Sequence, residues 1–253
     1  MPRLLSDVLV VLAVGAAIGL VPLAIGFFPR MVFDKRGKSW IRFSAGAALG
    51  FMVVFLNDLI DDSGGLGESL GLSFSPIQVA LPALFVLGFG LLMMLSITAR
   101  DSSPSSIVYL IAGAIGLHAL AEGIVIGSNF VGQLEIEELS TIYQGLSFAL
   151  HKFLEGFTMS IFLIPKAKPK MLLASVLLAG IPLLVGIPLG MFAYPAIIAN
   201  LLFAAGAGAA VFIILKIAEE ITKSKPSTIT LIGFFVGFVV VYFATLIHFT
   251  VLQ

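Results

Sequence analysis

The sequence predicts an all-α integral membrane protein of eight transmembrane helices, on three observations. The first is composition. Of 253 residues, 59% are hydrophobic and 11% charged, where a soluble domain carries about a quarter charged residues. The second is pattern: the apolar runs are continuous rather than alternating, and Gly and Ala recur at helical spacings, so strands are rejected. The third is the uneven distribution of basic residues among the connecting segments. The charges themselves balance, 14 Lys plus Arg against 14 Asp plus Glu, so no basic excess is present to hold a phosphate backbone, and nucleic acid is not expected as a partner. The absence of cysteine excludes disulfides, thiolate catalysis and a cysteine-based metal cage.

Runs able to cross roughly 30 Å of hydrocarbon as helices lie at about 7–28, 40–60, 77–98, 107–130, 139–164, 171–194, 196–220 and 229–252. They fill the chain, and residues 1–253 are read as one transmembrane domain. The first run lacks a clear basic leader and cleavage site, so it is expected to be a retained helix rather than a signal peptide. If the first, third, fifth and seventh loops are cytoplasmic, that side carries Arg30, Lys35, Arg36, Lys38, Arg42, Arg100, Lys166, Lys168, Lys170, Lys223 and Lys225, and the other side only Arg3. By the positive-inside rule, both termini lie outside the cytoplasm of a multi-pass protein of the cell membrane. The external loops are acidic instead, with Asp61, Asp62 and Glu68 in one and Glu135, Glu137 and Glu138 in another.

An internal repeat is visible. Ile18–Gly26 reads IGLVPLAIG and Leu178–Gly186 reads LAGIPLLVG, which lays Pro22 over Pro182 and Gly26 over Gly186 at an offset of 160. The same offset lays Phe43-Ser44-Ala45-Gly46-Ala47 over Phe203-Ala204-Ala205-Gly206-Ala207. A weaker match of Gly88-Phe89 with Gly237-Phe238 continues the repeat at a smaller offset. Five helices separate each pair, so the units point in opposite directions through the bilayer, an arrangement of transporters with midplane sites.

The fourth and fifth runs lie outside that repeat and carry one of their own. His118-Ala119-Leu120-Ala121-Glu122-Gly123 is echoed by His151-Lys152-Phe153-Leu154-Glu155-Gly156, giving H-x-x-x-E-G twice. A spacing of four puts His118 and Glu122 one turn apart on one helix face, and His151 and Glu155 likewise. The two pairs sit at similar depth, so antiparallel neighbours bring both to mid-membrane. Charged groups there cost at least ~2.5–3.5 kcal/mol each. A divalent cation held by two imidazoles and two carboxylates meets that cost, and this donor set suits Zn, Fe(II), Co or Mn. An interhelical His–Glu hydrogen-bond network is the structural alternative.

Eight spans, external termini and H-x-x-x-E-G on the fourth and fifth helices resemble the ZIP (Zrt/Irt-like) family of divalent metal transporters over the whole chain. The resemblance implies a 3+2+3 fold in which helices 1–3 and 6–8 are inverted copies around helices 4 and 5. It also implies movement of the cation into the cytoplasm, zinc first, with Fe, Mn, Co or Cd as other substrates and no resident cofactor. Many bacterial relatives hold a second metal through an Asn after the fourth-helix His, an acidic residue after the fifth-helix His, and a Glu before a Pro on helix six. The corresponding residues here are Ala119, Lys152 and Ile187 before Pro188, so a mononuclear site of His118, Glu122, His151 and Glu155 is expected. Lys152 stands at the second-site position, three residues before Glu155 and within its reach. The histidine-rich loop of many relatives is missing, since only Ala99 to Ser106 joins the third and fourth helices.

Ser147, one turn before His151, and Asn57 with Asp58 at the end of the second helix are read as an entrance. His248 and Met52, Met93, Met94 and Met159 are read as structural. The rows Gly46-Ala47-Ala48-Gly50 and Gly206-Gly208 suit a homodimer contact or internal packing equally well. Two functions without transport compete: an intramembrane metalloenzyme and a metal-responsive receptor. The enzyme needs an open metal position and a general base, and the H-E-x-x-H arrangement that supplies both is absent. The receptor does not explain the inverted repeat. If the acidic exterior concentrates cations, neutralising Asp61, Asp62, Glu68, Glu135, Glu137 and Glu138 raises the apparent KM for uptake and flattens its salt dependence, with little change in maximal rate. An unchanged KM at low salt would leave them as solubility residues.

Overall fold

In a computed structural model of the chain, residues 2–28, 37–65, 76–98, 105–132, 138–162, 169–192 and 196–250 are described, and among them there is no strand. Pro2–Gly15, a π-helical turn at Ala16–Leu20 and Val21–Gly26 run on as one rod, α1. It is followed by α2 (Lys38–Asp62), α3 (Pro76–Thr98), α4 (Ser105–Gly132), α5 (Glu138–Ile161), α6 (Pro169–Phe192), α7 (Ala196–Ser224) and α8 (Thr228–Thr250). Among the described residues, α1, α2, α3, α4, α6 and α7 contain stretches long and apolar enough to cross a membrane, and α8 a shorter one at Thr228–Ala244. The eight expected spans correspond to eight helical rods, of which six are long and apolar enough by this criterion among the described residues. That α5 is not among the six has a chemical cause: His151, Lys152 and Glu155 interrupt its apolar sequence. The loop charges Arg30, Lys35, Arg36, Glu68, Arg100, Glu135, Glu137, Lys166 and Lys168 lie outside the described residues.

Local chemistry explains several features of these rods. Pro22 has no N–H and its ring collides with the carbonyl four residues earlier; the turn just before it, Ala16–Leu20, widens to π geometry. Helix α2 starts at Gly37, whose φ of +92° only glycine adopts at low cost. The guanidinium of Arg42 on α2 donates from Nε and Nη2 to the Ser224 carbonyl at 3.0 and 2.8 Å, which satisfies an end carbonyl of α7. Large apolar side chains such as Leu87, Phe235 and Phe243 are exposed, as a lipid-facing surface requires.

The principal packing partners are α4 with α6, α1 with α5, α2 with α8, α3 with α7, α2 with α7, and α4 with α7. All of these but the last are unchanged as a set when α1 is exchanged with α6, α2 with α7, α3 with α8 and α4 with α5; the counterpart of α4 with α7 is the slighter contact of α2 with α5. The glycines follow the same exchange. On α1 and α5, a Cβ on Gly26 would strike the Phe153 carbonyl and one on Gly156 the Leu23 carbonyl; on α6 and α4, one on Gly186 would strike the Leu120 carbonyl and one on Gly123 the Leu183 carbonyl. The terminal Gly of each H-x-x-x-E-G segment is therefore where its helix docks backbone to backbone on a proline-containing neighbour. Close approach of this kind is how helices associate where lipid supplies no hydrophobic drive.

The small-residue rows are also used inside the chain. Gly46 and Gly50 face the α8 backbone at Thr230 and Phe234, Gly208 faces Phe85 on α3, and Gly206 lies against His118. Met52 and Met159 are buried in the core, whereas Met94 is exposed.

Gly156→Ala or Gly123→Ala is expected to lower the unfolding temperature of the purified protein, because the clash is with backbone that cannot yield cheaply. Gly113→Ala, with nothing near its would-be Cβ, is expected to be neutral or to stabilise by up to ~1 kcal/mol through helix propensity. Equal effects at both kinds of position would contradict the docking role.

Candidate metal centre

Helices α4 and α5 bring four donor residues together. His118 and Glu122 come from α4, His151 and Glu155 from α5, and one ligand atom of each lies within 4.8 Å of the others. Along each helix, i and i+4 stack on one face. Glu122 Oε1 lies 2.9 Å from His118 Nε2, and Glu155 Oε1 lies 3.4 Å from His118 Nε2 and 3.6 Å from His151 Nε2. The Nε2 atoms of both histidines are buried without a hydrogen bond of acceptable geometry. Glu155 is fully buried and His118 is 3% exposed, while the side chains of Glu122 and His151 keep 12% and 20% of their surface. A buried group of two imidazoles and two carboxylates can bind a metal ion: each nitrogen and oxygen supplies a lone pair, and the donor set is one that zinc and neighbouring dications accept.

Lys152 completes the cluster from the carboxylate side. Its ammonium donates to Glu155 Oε1 and Oε2 at 2.8 and 2.9 Å and pairs with Glu122 Oε2. The residue is 2% exposed, with its Nζ 5.5 Å from the centre of the Phe148 ring, so it does not reach to an interface. The oxygen of Glu122 that faces His118 is Oε1 and the one that faces Lys152 is Oε2. Glu122 thus has imidazole on one oxygen and ammonium on the other, whereas Glu155 Oε1 is shared between the two imidazoles and the ammonium. Ala119 and Ile187 are buried apolar residues and offer no side-chain donor.

The imidazoles are walled by aromatic rings that the sequence alone did not single out. Phe55 of α2 meets both: its ring centre is 4.8 Å from that of His118 and 4.7 Å from that of His151, edge-on in each case. Phe51, one turn earlier, stacks on Phe55 and approaches His151, and Phe203 of α7 approaches His118. The available signal was the Phe51–Phe55 spacing of four, which in an apolar helix reads as ordinary core. Thr158 was also missed; close to one turn beyond Glu155, its hydroxyl is buried with no hydrogen-bond partner.

The expected entrance residues Ser147 and Asn57 have hydrogen-bond partners of their own. Ser147 donates to the Ala244 carbonyl of α8 at 3.2 Å, and Asn57 donates to Asp61 at 3.3 Å on the exposed end of α2. Asp58 is half-buried on the same turn. Asp62, at that end, is close enough to interact electrostatically with His118 and Glu122. His248 lies on α8.

No family model and no curated protein matches this chain. Its chemistry therefore rests on the cluster itself. His118→Ala, Glu122→Ala, His151→Ala and Glu155→Ala should each weaken zinc binding by more than the roughly 10–100-fold that an outer-sphere partner is worth, measured by competition with a chelating dye on folded, purified protein. Unaltered affinity in both histidine variants would remove these residues from the ligand set.

Proposed function

We propose that this protein is a transporter of a divalent transition-metal ion, zinc first, carrying one cation at a time through the His118, Glu122, His151 and Glu155 site into the cytoplasm. The carrying observation is a four-donor cluster buried between two helices of an all-helical membrane protein. The exchange symmetry of the helix pairs, with the repeats at Pro22 and Pro182, supports the 3+2+3 arrangement of eight spans and its similarity to the ZIP family. In such a fold, rocking of the repeat-derived helices against α4 and α5 would open a fixed site first to one side and then to the other. The basic loops set the cytoplasmic side, and the acidic ends of the opposite loops favour cation arrival from outside.

Charge explains why one cation suffices. Glu122 and Glu155 supply two negative charges and Lys152 returns one positive. A single dication brings the cluster to plus one, while a second would bring it to plus three in a medium of low dielectric. Lys152 takes the carboxylate edge that a bridging second metal would need.

Uptake of radiolabelled zinc into proteoliposomes tests transport directly: accumulation that is lost with His118→Ala and His151→Ala is expected, and zinc binding without uptake would defeat it. The mononuclear reading makes a separate prediction. Purified protein should bind one zinc at this site, Lys152→Ala should bind it more tightly and release it more slowly, and Lys152→Asp should admit a second. Two cations bridged by Glu122 and Glu155 in the unmutated protein, with Lys152 turned away, would overturn it.

A further inference from the structure

We propose that Phe55 is a specificity-determining residue of the metal centre, holding a bound dication to four protein donors by denying it water between the two imidazoles. The inference rests on the metal-binding reading above and adds the coordination number.

A cation that prefers six ligands would need two more than His118, Glu122, His151 and Glu155 supply as single donors. They could come from the second carboxylate oxygens, through bidentate binding, or from water. The first source is engaged, since Lys152 holds Glu155 through both oxygens at 2.8 and 2.9 Å and Glu122 through Oε2, so neither carboxylate is free to offer a metal both of its oxygens. Water approaching between the two imidazoles meets carbon, and the surface left open at the site belongs to His151 and Glu122. The imidazole centres are 6.3 Å apart, and the Phe55 ring sits in the angle between them at 4.8 and 4.7 Å.

Phe55 comes from α2, which contributes no donor to the cluster, and it is 2% exposed. Phe51 supports it from behind with a ring separation of 5.3 Å, and Phe203 covers another approach to His118 at 5.8 Å. None of these rings offers a lone pair. Zinc accepts four ligands in tetrahedral geometry without penalty, whereas magnesium demands a near-ideal octahedron and manganese favours oxygen-rich six-coordination. A wall that removes water therefore discriminates by geometry, where the donor set alone does not.

Cobalt(II) reports this geometry directly, because its visible bands are intense in a tetrahedral site and weak in a centrosymmetric octahedral one. Purified protein titrated with cobalt(II) should give the intense spectrum. Phe55→Ala should lose most of that intensity and shift the zinc-to-manganese affinity ratio toward manganese by at least about ten-fold. Phe55→Leu, which keeps an apolar wall, should retain both properties.

A weak, octahedral spectrum from bound cobalt in the unmutated protein would overturn the proposal while leaving metal binding intact; if Phe55→Ala does not fold, this measurement alone decides. An unchanged spectrum and metal preference in folded Phe55→Ala would also overturn it. No cobalt binding at all would instead remove the metal reading, and this inference with it.

Discussion

The structure depends on the cost of keeping two carboxylates inside a membrane protein. Glu155 is fully buried and Glu122 nearly so, and an uncompensated charge in such surroundings is costly. Lys152 contacts both, which leaves the metal-free cluster with one net negative charge if the imidazoles are neutral. That residual charge is what a dication would meet. The lysine is thus placed to reduce the cost of the empty site and to limit the charge that can be added to it.

Geometry follows from the same requirement. Donors on two helices converge only if those helices are held at a fixed depth and rotation, and the glycines after Glu122 and Glu155 set both. Gly123 docks on α6 beside Gly186, and Gly156 docks on α1 beside Gly26. Each ligand helix is therefore registered against a proline-bearing helix by backbone contact, with little slack for the side chains. Helix α2 contributes in another way, supplying Phe51 and Phe55 as an apolar wall and carrying acidic Asp61 and Asp62 at its end.

Much of this was legible in the sequence because it lies in local spacing. H-x-x-x-E-G states, without tertiary information, that two donors share a helix face, and its repetition states that the faces are equivalent. The helical membrane class follows from continuous apolar runs. What spacing could not supply was partnership between distant segments. The Gly of each motif is visible in the sequence, but its docking partners Gly26 and Gly186 are not. The row from Gly46 to Gly50 suited a second subunit as well as α8, since small residues record a close approach but not what approaches. Phe55 was hidden for another reason: a phenylalanine in an apolar helix has the same sequence signature whether it touches leucine or imidazole. Conversely, hydropathy alone makes α5 too polar for a span, because it treats Lys152 and Glu155 as separate exposed charges although the two compensate each other.

One cation held by two imidazoles and two carboxylates from α4 and α5 is the central claim. X-ray absorption at the zinc edge on the zinc-loaded protein tests it most directly. The expected result is four nitrogen or oxygen neighbours with nitrogen distances near about 2.0–2.1 Å, outer-shell scattering from two imidazoles, and loss of that imidazole signal in the His118→Ala, His151→Ala double variant. A spectrum without imidazole, or with a second metal at roughly 3.5–4 Å, would contradict it.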